Sequence, residues 1–268
     1  MRRLLSFTCE TAALGGSLDE AGGSTGLLIV TGGSQTRIGS HRMFERLAAS
    51  VAAAGSPCFR FDRRGVGDSE GEDPGYRESG PDIAAAVRAF RTECPQLHRI
   101  VGFGLCDGGT ALSLFGAQAG IDALLLANPW FVEAETGAPP AAAIKQHYRD
   151  RLMSIEGWKK LLSGSVSYKK LLKGILKVAA SPPTDLADEV ANALGTSLLP
   201  LTMLLARRDG TAIAAADVWN SPRYRSIRER NPEPIYIESD SHTFARTGDE
   251  AALGDAVLSA LTASAIRP

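Results

Sequence analysis

The chain has 268 residues, with 29 Lys and Arg against 30 Asp and Glu; 44% of its residues are hydrophobic and 22% charged. That length suits one large domain, or one domain carrying an insertion, and the composition is that of a soluble globular protein. A formal net charge of −1 leaves no basic field of the kind nucleic acid requires, so no nucleic-acid partner is expected.

The N-terminus, MRRLLSFTCE, has two arginines but no apolar core of signal-peptide length. No apolar run approaches the ~18 residues of a membrane-spanning helix, and a cytoplasmic location is expected. The first strong element is GLLIV at 26–30, a buried strand stopping at the turn Thr31-Gly32-Gly33-Ser34. Met43, Leu47, Val51 and Ala54 recur at helical spacing before Gly55 and predict a helix over 42–54. Residues 58–62 form a second predicted strand, running into RRGVGDSEG. Pro81 and Asp82, both suited to a first helical turn, open a helix over 81–92. A strand over 99–103, a helix over 108–120 and a strand over 123–127, stopped by Asn128-Pro129, continue the alternation. Such regular alternation predicts an α/β fold, a doubly wound and mostly parallel sheet with helices on both faces.

The alternation breaks after Pro129. Residues 131–195 contain no convincing strand; helices are predicted over 141–154, 155–180 and 185–194. A strand over 200–206, a helix over 211–219, a strand over 234–238 and a last helix over 250–265 resume the pattern. The expected organisation is therefore a core of residues 1–130 and 196–268, with 131–195 inserted as a helical cap.

Cys9, Cys58, Cys94 and Cys106 include no CxxC pair, so neither a disulfide framework nor a zinc site is expected, and no metal or cofactor. Cys106 stands apart, in Gly104-Leu105-Cys106-Asp107-Gly108-Gly109. A strand that turns sharply into a helix needs small residues two before and two after its apex, here Gly104 and Gly108. Gly109 then lets the helix lie close to the sheet. The cysteine could be a buried filler, a metal ligand or a nucleophile; the turn geometry favours the nucleophile. In open parallel sheets, functional groups gather beyond the carboxyl ends of strands. Cys106, Asp209 and His242 all stand there, in the order nucleophile, acid, histidine.

The plain reading of Asp209 is a turn residue or helix cap. Asp217 and Asp240 compete for the acid role, but Asp209 directly follows its strand, and Asp240 is too near His242 in sequence to approach the imidazole easily. The backbone N–H of Asp107 and a second donor from Gly33 or Ser34 would face a developing oxyanion. The Asp107 carboxylate, one residue from the nucleophile, is expected to contact a loop arginine. Arg37, His41 and Arg42 either bind a substrate carboxylate or phosphate, or solvate their loop. In FDRRGVGDSEG at 61–71, Asp62 and Arg64 are expected to pair or cap a tight loop.

The motifs GLCDG at 104–108, FDRRGVGDSEG at 61–71 and SDSHTF at 239–244 resemble those of the α/β-hydrolase superfamily, over nearly the whole chain. With TGGSQTRIGSHR at 31–42 and the basic middle block, the sequence is most similar to the hydrolase type 1 encoded beside the bacterial exosortase A system. The dienelactone hydrolases of the same superfamily also carry cysteine at the elbow. This resemblance implies cleavage of a small acyl substrate (an ester, lactone or thioester) through an acyl-thioester on Cys106, near exopolysaccharide production or protein sorting. Two other readings stay open: an acyltransferase with a sugar or amine acceptor, and a non-catalytic binding scaffold. Between Lys145 and Lys177 nine Lys and Arg face two acids. This block is either a lid with solvated outer faces or a surface for anionic lipid, a phosphate-bearing acyl carrier or a nucleotide-linked substrate.

Overall fold

The computed structural model describes residues 1–132 and 185–266. The cap helices expected over 141–154 and 155–180, and the basic block 145–177, lie outside the described residues.

Eight strands form one sheet in the order β1-β2-β4-β3-β5-β6-β7-β8. They are β1 (Arg2–Cys9), β2 (Ala12–Asp19), β3 (Thr25–Val30), β4 (Cys58–Phe61), β5 (Arg99–Leu105), β6 (Ala123–Ala127), β7 (Leu201–Ala206) and β8 (Ile235–Ile237). The pairs from β4 across to β8 are parallel, while β1 pairs antiparallel with β2 and β2 with β4. The doubly wound, mostly parallel sheet expected from the sequence is therefore present.

The β1–β2 hairpin was not among the expected elements. β1 alternates exposed and part-buried residues, with Arg3, Leu5 and Phe7 facing inward. β2 contains Gly15-Gly16, which reads as a turn. The reason for Gly16 is packing: a Cβ there would stand 2.7 Å from the Phe59 ring across the β2–β4 register, where Gly16 faces Phe61.

Helices cover both faces. α1 (Met43–Ala53) and the last helix, α7 (Asp249–Ile266), share one apolar layer with β3, β5 and β7. The opposite layer is built by α2 (Gly80–Glu93), α3 (Asp107–Ala119), α4 (Asp185–Ser197), α5 (Gly210–Trp219) and the short α6 (Arg225–Glu229). Leu27, Leu28, Ile29, Val101, Phe103 and Leu126 are fully buried. A parallel strand covered on both faces has no solvent side, which is why these strands read as unbroken apolar runs. Among the described residues, no helix is long and apolar enough to cross a membrane.

Candidate active site

The elbow is built as its glycines require. Cys106 lies between β5 and α3 with φ 59° and ψ −129°, a left-handed backbone that costs a non-glycine residue free energy. A Cβ on Gly104 would stand 2.6 Å from the backbone of Gly108 and Gly109, and one on Gly108 would stand 2.5 Å from the Val30 carbonyl oxygen. The turn is pinned by Cys106 N–H donating to the Ala127 carbonyl at 3.0 Å and by Trp130 N–H donating to the Cys106 carbonyl at 3.1 Å. Cys106 is partly exposed, whereas Cys9, Cys58 and Cys94 are buried.

Asp209 ends the β7 exit turn, where one carboxylate oxygen meets both a helix N-terminus and an imidazole. Its Oδ2 accepts from Ala212 N–H at 2.9 Å, capping α5, and from His242 Nδ1 at 3.0 Å. Asp217 is exposed, and Asp240 is engaged by Arg246 at 2.8 Å. Asp209 is thus the carboxylate that meets the imidazole. Burial disfavours charge on the His242 ring, but the Asp209 hydrogen bond and the neighbouring Asp209 and Cys106 side chains outweigh it, and its pKa is pushed up to about 10. Burial raises the thiol of Cys9 to about 11, helped by Asp82, and it also raises Cys58 and Cys94.

Sequence reasoning missed the residues that hold this histidine. Asn128, fully buried just after β6, donates from Nδ2 to the His242 carbonyl at 2.8 Å and accepts at Oδ1 from Ala206 N–H at 2.8 Å. It therefore ties the ends of β6 and β7 to the histidine loop. Ser239 donates to Asp249 and accepts from Ser241 N–H at 2.9 Å, fixing the same loop from the start of α7. The signals available were an Asn in the strand-stop Asn128-Pro129 and the serines of SDSHTF; neither residue type specifies such a task.

The loop 31–42 differs from expectation. Gly33 N–H, one of the two expected candidates for an oxyanion donor, donates instead to Asp107 Oδ1 at 2.5 Å. The partner of Asp107 is therefore this backbone amide rather than a loop arginine. Arg37, expected to face a substrate anion or solvent, is held instead by β2 and the 62–68 turn. Its side chain donates to Asp62, to Asp68 Oδ2 at 2.7 Å and to Ser17 at 3.0 Å. Arg42 pairs with Glu45 at 2.6 Å, and His41 is exposed. Asp62 and Arg64 do not pair with each other: Asp62 takes Arg37, while Arg64 pairs with Asp82 at 2.9 Å and with Glu10.

Three side chains from separate strand ends thus converge as thiol, imidazole and carboxylate, an arrangement chemically able to form and break an acyl bond. The sequence profile of the alpha/beta hydrolase family matches residues 27–262. No curated protein sequence matches the chain. Among solved structures, the chain is similar to the esterase Pf2001 of Pyrococcus furiosus, at 16% identity and TM-score 0.62, covering 95% of this chain and 91% of that one. It is similar to the alpha/beta hydrolase GrgF of Penicillium sp. sh18, at 18% identity and TM-score 0.64, over 98% and 99% of the two chains. It is likewise similar to Est1E of Butyrivibrio proteoclasticus, solved with ferulic acid, at 16% identity and TM-score 0.64, over 98% and 100%. With the profile covering most of its length, the chain belongs to the alpha/beta hydrolase family.

Proposed function

We propose that the protein hydrolyses a small ester, lactone or thioester through a Cys106–His242–Asp209 triad and an acyl-thioester intermediate. The observation that carries this reading is one imidazole hydrogen-bonded to a buried carboxylate and neighboured by a thiol held at a strained elbow.

The chemistry follows from the charges. His242 is favoured as imidazolium, and the thiolate of Cys106 is the form that attacks carbonyl carbon. The C–S bond forms as the carbonyl π pair moves to oxygen, next to the N–H of Asp107 at the start of α3. Collapse expels the alkoxide or thiolate leaving group, which takes the proton of His242. The neutral imidazole then removes a proton from water, whose oxygen attacks the thioester. Collapse releases the acid and returns thiolate and imidazolium. Asp209 holds the ring by Nδ1 throughout, so that Nε2 is the nitrogen that exchanges protons.

The test is intact-mass spectrometry with peptide mapping after brief exposure to activated esters and thioesters of graded acyl length. The expected result is one acyl adduct on Cys106, absent in Cys106→Ala and long-lived in His242→Ala. Turnover retained in Cys106→Ala, or an adduct mapped elsewhere, overturns the mechanism.

A further inference from the structure

We propose that Arg63 is a positioning residue for the oxyanion loop: with Asp107 it clamps Gly33 from both sides and leaves the Ser34 N–H as the second oxyanion donor. The inference rests on the acyl-enzyme reading above.

Gly33 is held at both ends. Its N–H donates to Asp107 Oδ1 at 2.5 Å, and its carbonyl accepts from the Arg63 guanidinium. The residue sits at φ +55°, a left-handed conformation that glycine adopts freely. The loop abuts the nucleophile, since a Cβ on Gly32 would stand 3.1 Å from Cys106 Cβ. The next amide, Ser34 N–H, has no acceptor among the described residues. Both contacts on Gly33 therefore direct the donor role one residue onward.

Arg63 is a costly residue to keep where it is. It is 1% exposed and, among the described residues, its Nε and Nη1 have no hydrogen-bond partner and its nearest carboxylate, Asp73, lies 3.7 Å away. A buried cation so incompletely satisfied contributes little to stability. Arg60, on the adjoining strand, is different: it reaches the Asp19 carboxylate at 3.3 Å and the Arg37 carbonyl at 2.7 Å, a bracing role. What Arg63 does contribute is charge behind the loop. A guanidinium bonded to the Gly33 carbonyl polarises the Gly33–Ser34 amide and strengthens its N–H as a donor. It also offsets the Asp107 carboxylate, which alone would repel an oxyanion forming beside it.

The test compares two reactions of Cys106 in the full chain. Acylation by p-nitrophenyl acetate passes through a tetrahedral oxyanion; alkylation by iodoacetamide displaces iodide from saturated carbon and places no charge on oxygen. Arg63→Met is expected to slow acylation about 10–100-fold, short of the full loss of a donor, while alkylation keeps the parental rate. Rates that fall together, or an acylation rate that does not change, overturn the proposal. Should Arg63→Met fail to fold, Arg63→Lys carries the same comparison, because lysine keeps the charge but not the planar fork. There acylation is expected to slow with alkylation intact, and equal rates overturn the proposal. A parent protein that alkylates at Cys106 but is acylated by no ester would instead overturn the acyl-enzyme reading itself.

Discussion

Cys106 is partly exposed at its elbow, whereas Cys9, Cys58 and Cys94 are buried. Iodoacetamide with peptide mapping at neutral pH is therefore expected to label Cys106 first and to leave the other three silent, since burial excludes the reagent and holds their thiols protonated. His242→Ala should slow the labelling of Cys106 about tenfold, because the imidazole that assists the thiol is lost. A rate unchanged in His242→Ala would remove the imidazole's part in activating the thiol. The meeting of Asp209 with His242 was legible because side-chain type and chain order together restrict which carboxylate can reach the ring. Asn128 was not, since its contacts run to backbone groups of His242 and Ala206 and any residue type could supply those groups. Asp107 was half legible: its place beside the nucleophile was visible, but its hydrogen bond to Gly33 depends on a loop 74 positions away.

At the scale of elements, the parallel strands were readable because burial on both faces removes polar residues from them. The hairpin at the N-terminus was not, because β1 is half exposed and the two glycines of β2 answer to a neighbour rather than to a turn. Gly16 gives the measurable case. Replacing it with Ala would drive a methyl to within 2.7 Å of the Phe59 ring, and overpacking of this kind costs about 1–3 kcal/mol. Denaturant unfolding of Gly16→Ala should show that loss. Unchanged stability would mean that Phe59, packed against Phe7 and Phe90, has room to turn aside. The elbow glycines were legible for the opposite reason, since the strand-to-helix turn carries its own sequence requirement. Element ends near the site were harder to read, because loops such as 31–42 take their shape from distant carboxylates and guanidinium groups.

For the molecule as a whole, the same histidine links the site to stability. Its folded pKa of about 10 exceeds the unfolded value of ~6.5, so folding favours the protonated ring. That stabilisation is fully present below pH ~6.5, declines as pH rises, and is lost above about 10. The melting temperature of the parent should therefore exceed that of His242→Asn most widely in mild acid, the two curves converging near pH 10. Curves separated by a constant amount at every pH would mean that His242 stabilises by packing alone. The sheet order carries a further consequence. From β3 onward, β5, β6, β7 and β8 are added one beside the next toward a single edge. A ribosome delivering the chain therefore completes the strained turn around Cys106 long before it has made Asp209 or His242. During that interval the half-made protein holds its thiol without the carboxylate and imidazole that later join it, and the imidazole comes last, in the loop that follows the outermost strand.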